Sequence, residues 1–431
     1  MAALQPRLST AHPAQVLRHG SLEQLLPPEH DVRLVHAFVA SLDLTDLLAA
    51  IRAVEGGAGR PAIDPRILLT LWLYATSQGV ASARQLATLC REHLAYQWIV
   101  GGVAVGYHTL ADFRTQHAAV LDRLLTDSIA CLLHEGLIDI QRVAQDGLRV
   151  RAAAGAASFR RQATLADCYS EAQEQVAALR QQPGEDAGAA NRRVQAARQR
   201  AAQDRLERLR RAQEELRQQQ QNNAAKPPSQ RQDPRKLRAS TTDPEARRMK
   251  MPDGGTRPAY NVQLATTTVG GAIVGVAVTN EGNDGGQLLP MLAQIEQRSG
   301  AHVAEMVVDG GFVTVQGIDA AQRRGTRIYA PVRQEEQQLL AGKDPFARKK
   351  SDTDGTAAWR ARMATAAARA IYRERGQTAE WSNAGCRQRG LYGVTVRGAE
   401  KVRTVALWQA LVHNLWTLVR LRRQASGEGA R

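Results

Sequence analysis

Apolar positions in the first third of the chain recur at three- and four-residue spacing. In "DVRLVHAFVASLDLTDLLAAI" they fall at Val32, Leu34, Val35, Phe38, Val39 and Leu42, the stripe of a core-facing helix. "DPRILLTLWLYATSQG" opens with Asp64 as an N-cap and Pro65 at the first helical position, and closes at Gly79. "SARQLATLCREH" and "TLADFRTQHAAVLDRLLTDSIACLLHEG" predict two more helices. Residues 31–138 therefore read as an all-helical domain with short connections. Residues 1–30, with scattered Pro and His, read as a flexible N-terminus.

At residue 139 the period changes. "DIQRVAQDGLRVRA" alternates, with Val143, Leu148 and Val150 as strand positions. Strand patterning then stops for about a hundred residues. "ATLADCYSEAQEQVAALRQQ" is helical and "PGEDAG" breaks it. A longer helix follows, on the order of 45 to 50 Å, with Leu206, Leu209 and Leu216 as its apolar stripe. A polar linker with Pro227, Pro228 and Pro234 comes next.

Strands resume at Tyr260. "YNVQLATTTV" and "AIVGVAVTN", parted by Gly270 and Gly271, predict a hairpin. "GGQLLPMLAQIEQRS" is a helix, "EMVVDGG" a strand, "VTVQGIDAAQRRG" a helix and "RIYAPV" a strand. Residues 344–363 are polar and basic. One helix runs from about Ala364 into "AEWSNAGCRQRG", and the last is "VRTVALWQALVHNLWTLVRLRRQ" before a flexible tail, residues 426–431. Three consecutive strands followed by alternation describe an α/β protein with a mixed sheet flanked by helices. An RNase H-like fold has this order. Residues 139–151 and 255–425 form that core, and residues 152–254 are a helical, basic insertion and linker.

Charge narrows the partners. The 431 residues carry 57 Lys and Arg against 42 Asp and Glu, a net charge of +15. That favours a polyanion such as nucleic acid. The four cysteines, Cys90, Cys131, Cys168 and Cys386, form no C-x-x-C pair, which fits reduced thiols rather than a zinc site. The N-terminus lacks the pattern of a signal peptide, and "ILLTLWLYA" is too short to span a bilayer. A cytoplasmic, nucleoid-associated protein is expected.

Two acids stand at strand positions. Asp146 lies in the first strand and Asp309 ends the fourth, each followed by Gly. Asp-Gly is a common turn pair, so a turn is one reading of each. In an RNase H-like sheet, however, these strands are neighbours. Paired carboxylates need cations, and two hard ions such as Mg²⁺ or Mn²⁺ fit, roughly 3.5 to 4 Å apart. Glu380 is the candidate third acid. Asp284 reads as the N-cap of the "GGQLLPML" helix and Asp253 as part of a Gly-rich turn. Arg387 lies seven residues after Glu380, about two helical turns on, where a guanidinium can meet a phosphate.

The chain resembles bacterial insertion-sequence transposases of the DDE type, those with a helical region before the catalytic core. "RPAIDPRILLTLWLYA" and "GYHTLADFR" resemble the N-terminal region of that family. "QDGLRVRAAAGAASFRR" resembles its first-acid motif, and "VVDGGF" its second. "TDPEARRMKMPDGGTRPAYNVQLAT" and "VTNEGNDGGQLLPML" resemble the segment after the insertion. Tyr372, Arg375, Glu380 and Arg387 resemble its third motif. The resemblance departs in two places. The basic residue after the acid is Arg387 where Lys is frequent, and the gap from Arg375 to Glu380 is one residue longer than in the commonest form.

The resemblance implies a metal-dependent DNA transposase. Asp146, Asp309 and Glu380 would be its catalytic and metal-binding triad, with Arg387, Arg375 and Tyr372 touching DNA. It implies a homodimer on double-stranded DNA, engaging terminal inverted repeats and target, with residues 31–138 gripping the ends. A transposase remnant that binds DNA without catalysis, and an RNase H-like nuclease that cuts without joining, stay open as alternatives.

Overall fold

A computed structural model describes residues 20–53, 61–181 and 189–427. The chain divides into two compact units, Met1–Tyr74 with Ala83–Ala111, and Ala75–Ser82 with Asp112–Arg431.

The first unit is helical, as its period predicts. It contains α1 (Leu22–Leu25), α2 (Asp31–Ala40), α3 (Thr45–Ala49), most of α4 (Pro65–Ser77), α5 (Ala83–Glu92), α6 (Leu94–Val100) and the start of α7 (Tyr107–Gln116). The stretch expected to be flexible through residue 30 contains α1, because Ser21 and Gln24 form a reciprocal capping box; residues 1–19 lie outside the described residues. The single helix expected over 31–51 is two. Asp43 accepts from the Thr45 amide at 3.0 Å, and that local side-chain bond competes with helix continuation. α6 was not foreseen; it ends where Gly101 turns left-handed at φ 52°. Val32, Val35, Leu69, Leu71 and Trp72 are buried in this unit, and the Trp72 indole donates to the Leu110 carbonyl at 2.9 Å.

In the second unit the helix expected over 109–136 is broken at His117, and α8 (Ala118–His134) carries its second half. The strands are β1 (Asp139–Arg151), β2 (Phe159–Arg160), β3 (Ala239–Ser240), β4 (Arg247–Lys250), β5 (Thr256–Val269), β6 (Ile273–Thr279), β7 (Glu305–Val307) and β8 (Arg327–Tyr329). The main sheet runs β4–β5–β1–β7–β8, and β6 also pairs with β5. β5 lies antiparallel to β1 and β6, whereas β7 and β8 run parallel to β1. β5 is buried along most of its length and β1 in part, and the strand order puts both inside the sheet. The hairpin foreseen at Gly270 and Gly271 is present. Both residues have positive φ, 78° and 75°, as a two-residue turn of this kind requires.

Strands begin earlier than Tyr260. β4 was missed because "RRMK" has no alternation, and β2 and β3 are two residues each. Between β1 and β4 the chain leaves the main sheet as α9 (Gln162–Gln181) and α10 (Ala189–Ala224). Leu165, Ala172, Leu209, Ala212 and Leu216 close a core between them. The expected helix break, residues 182–188, lies outside the described residues. The Pro-containing linker is structured. Two short turns open at Pro228 and Pro234, and buried Asn223 pins Gln232 through bonds of 2.7 and 2.8 Å.

The remaining helices are α11 (Leu288–Ser299), α12 (Val315–Arg323), α13 (Glu335–Leu340), α14 (Asp354–Met363), α15 (Ala366–Arg375), α16 (Trp381–Gln388) and α17 (Ala399–Ala425). α14 falls in the polar stretch 344–363, where only Thr356, Trp359 and Met363 are buried on it, too few to mark a period. Asn414 on α17 brackets Ile273, accepting from its amide at 2.8 Å and donating to its carbonyl at 2.9 Å. Residues 428–431 lie outside the described residues. No described helix is long and apolar enough to cross a membrane.

Candidate active site

Asp146 lies in mid-β1, opposite Leu264 of β5. Alternation sends its side chain to one face of the sheet, and turns Gln145 and the Cα of Gly147 to the other. Its Oδ1 accepts from the Gly147 amide at 2.9 Å, and its Oδ2 from Asn383 Nδ2 of α16 at 3.0 Å. The Arg375 guanidinium sits 3.1 Å from Oδ1.

The same guanidinium reaches Glu380 Oε1 at 2.7 Å. Between Arg375 and Glu380 the backbone makes a π-helical turn, Gly376–Glu380, which joins α15 to α16. A π turn spends one residue more than an α turn. The extra residue noted in the sequence is absorbed there, and Glu380 returns to the face that carries Arg375.

Asp309 lies two residues beyond β7, on the neighbouring parallel strand. Its Oδ1 accepts from the Gly311 amide at 2.6 Å, and its carbonyl accepts from the Phe312 amide at 3.2 Å. The turn reading of Asp309-Gly310 is therefore correct, and the carboxylate stands at the end of the strand as well. Asp146-Gly147 is not a turn; it runs on within β1.

These charges feel one another. Burial pushes the Asp146 carboxyl above the usual carboxylate range; Arg375 pulls it down and Asp309 pushes it further up. Burial pulls the Arg375 guanidinium down, but Asp146, Tyr372 and Asp309 together outweigh that and its pKa rises. Burial raises the Tyr372 hydroxyl, and Asp309 and Glu380 add to the rise. The fold thus draws Asp146, Asp309, Glu380, Arg375 and Tyr372 into one electrostatic set. Arg387 is not part of it. It lies exposed on α16, with no ion pair among the described residues.

Among the described residues no three His, Cys, Asp or Glu side chains are grouped to hold one ion; Arg375 supplies the positive charge between Asp146 and Glu380. The donor chemistry nonetheless suits a hard cation. Every acidic donor is a carboxylate oxygen. The Asn383 amide that donates to Asp146 leaves its buried Oδ1 without a hydrogen-bond partner among the described residues.

Asp284 is the residue that sequence reasoning misplaced. α11 is preceded by Gln287 as its N-cap, without a side-chain bond. Asp284 is instead buried, its Oδ1 accepting from Asn261 Nδ2 and Gln263 Nε2 at 2.7 Å each. Gln145 Nε2 donates in turn to Gln263 Oε1 at 2.9 Å. This amide relay lies on the opposite face of β1 from Asp146. A Cβ on Gly147 would stand 2.3 Å from Asp284 Oδ1, and one on Gly311 would meet Asp309 Oδ1 at 2.9 Å and Asp284 Oδ2 at 3.7 Å. Asp284 therefore backs both segments that carry the candidate acids. The glycines after them were the only signal in the sequence.

Residues 20–116 match a family model described as a transposase domain (DUF772). The match spans the first helical unit and includes the two N-terminal stretches singled out above. No curated protein and no solved structure matches the chain.

Proposed function

We propose that the chain is a DDE-type transposase that cuts and joins DNA at the ends of an insertion sequence. One observation carries the reading: a single guanidinium, Arg375, bonds two acids from distant segments, Asp146 and Glu380, with Asp309 at the end of the next strand within range of their charges. The strand order β6–β5–β1–β7–β8, with the first three antiparallel and the last two parallel to β1, supports an RNase H-like core. The transposase-domain match supports the substrate class.

In this reading Asp146, Asp309 and Glu380 would hold Mg²⁺ or Mn²⁺, which would supply a lowered pKa for the attacking oxygen and charge stabilisation for the leaving one. The protein's own part is placement. The Gly311 amide fixes the Asp309 carboxylate, the Gly147 amide and Asn383 fix Asp146, and Arg375 keeps Asp146 and Glu380 facing each other. Without cations the three carboxylates outnumber the one guanidinium, which disfavours an approaching phosphate. Arg387, exposed and without an ion pair among the described residues, is free to hold a phosphate oxygen pair through its planar fork. Water attacks the phosphorus at the element's 3′ end, and the bond from phosphorus to the 3′ oxygen breaks. The freed 3′-hydroxyl then attacks a phosphorus in target DNA. Joining two ends together calls for two protomers, with residues 31–138 on the terminal repeats.

The test is a strand-transfer assay on a labelled duplex taken from the DNA flanking the coding region. Cleaved and joined products with Mg²⁺ or Mn²⁺ support the reading. Cleavage without joining would indicate a nuclease, and binding alone a non-catalytic DNA-binding protein.

A further inference from the structure

A groove of about 660 Å³ lies where the helical insertion meets the sheet, against about 30 Å³ for one water. Its walls carry Arg161, Lys226, Lys236, Arg238, Arg247 and Arg248, and the one acid among its lining residues is Glu281. All six cations are exposed or half-buried; Arg247 pairs with Glu215, and the other five have no ion pair among the described residues. Three arginines of α10 contrast with them. Arg205 pairs with Glu171, Arg210 with Glu207 and Glu214, and Arg211 with Glu207. Charge around these three arginines is thus neutralised locally, while most of the charge in the groove is left open.

The groove cations are also held in place. Lys226 and Lys236 flank the Pro-containing segment that buried Asn223 pins through Gln232. Gln219 Nε2 donates to the Arg238 carbonyl at 3.2 Å, and Arg248 sits on β4, paired with Pro258 of β5. The fixed backbone beneath these cations leaves less freedom to lose on meeting phosphates. The sheet-side wall ends at Glu281 and Gly282. Arg149 of β1 donates to the Gly282 carbonyl at 3.0 Å, and Asp284 follows two residues later. The groove therefore leads to the loop that backs the candidate acids.

We propose that this groove binds the phosphodiester backbone of duplex DNA and leads it toward the carboxylates. The proposal rests on the DNA-processing reading above. A single strand is disfavoured, because single-strand sites stack bases on exposed aromatic rings. The groove's one aromatic side chain is Phe159, buried at 5% exposure. Binding is then to phosphates alone, independent of sequence and strongly dependent on salt.

The experiment measures affinity of the full chain for a duplex of arbitrary sequence, and for one of its strands, across a range of NaCl. For wild type, the logarithm of affinity should fall linearly with the logarithm of salt. In the variant Lys226→Ala/Lys236→Ala/Arg238→Ala that slope should drop by about 2 to 3, close to one for each phosphate no longer neutralised. Affinity at fixed salt should fall at least tenfold, alike for unrelated duplexes. Arg210→Ala/Arg211→Ala, on the paired face, should leave the slope unchanged. If the triple variant does not fold, Arg161→Gln/Arg248→Gln reads the same slope from other positions in the groove. Duplex binding with an unchanged slope in the groove variants overturns the groove, as does tighter binding of the single strand. Absence of any duplex binding by wild type overturns the DNA-processing reading itself.

Discussion

Arg375 Nη1 lies 2.7 Å from Glu380 Oε1 although five positions separate the two residues. In a regular α-helix that spacing turns them away from each other, because each residue rotates by about 100°. The π turn between them removes the surplus rotation. Deleting exposed Gln377 should therefore convert the turn to α geometry, keep the pair facing and retain the fold. Deleting three residues, which leaves a spacing of two, should rotate the acid off the site and abolish cleavage. Circular dichroism and a cleavage assay on the two deletions check this; loss of cleavage in the single deletion would mean that the π turn has another role.

Arg387 is exposed on α16 and makes no ion pair among the described residues. Arg387→Ala should leave the melting temperature within a degree or two of wild type, since isolated surface changes rarely exceed about 0.5 kcal/mol. It should weaken engagement of the scissile phosphate by roughly 1.5 to 3 kcal/mol. Calorimetry beside single-turnover cleavage separates the two, and an early melt would show a structural pairing instead.

Gly147 has no room for a side chain. An added Cβ would stand 2.3 Å from Asp284 Oδ1 and 2.7 Å from both Asn261 Oδ1 and Gln263 Nε2. Gly147→Ala should destabilise the second unit by about 1 to 3 kcal/mol, as overpacking of a filled interior does. Denaturant unfolding measures it. A neutral result would mean that the amide relay around Asp284 gives way easily.

His413 on α17 is buried, with Nε2 2.8 Å from the Gly271 carbonyl. Burial pulls its pKa from 6.5 to about 4. A depressed pKa contributes stability that is present above the unfolded value near 6.5 and is lost as pH falls toward 4. Between pH 7 and pH 5 the loss should be about 2 kcal/mol. Denaturant titrations at the two pH values test this, and His413→Gln should show a smaller drop than wild type.

Period and turn chemistry were enough to foresee the helical first unit, β1, the Gly270–Gly271 hairpin and the departure of α9 and α10 between strands, because long stripes and paired glycines are local signals. β4 and α14 were not legible. "RRMK" owes its place to pairing with β5, and α14 buries too few residues to mark a period. Asp146 and Asp309 were singled out from their strand positions; the structure puts Asp146 within β1 and Asp309 two residues beyond β7. Asp284 was misread as a helix cap because its partners, Asn261 and Gln263, lie on a distant strand. Arg375 was assigned to DNA, but its nearest partners are Asp146 and Glu380, an arrangement visible only once the sheet and α15 are assembled.

The central claim is that Asp146, Asp309 and Glu380 act as one site on DNA. The most direct measurement compares Asp146→Asn, Asp309→Asn and Glu380→Gln with wild type for cleavage, joining and end binding, all with Mg²⁺. Each amide keeps the shape of its carboxylate and removes its charge. The account predicts that all three variants lose cleavage and joining while still binding the labelled end duplex. Near-normal turnover by any one of them would contradict it and remove that residue from the site.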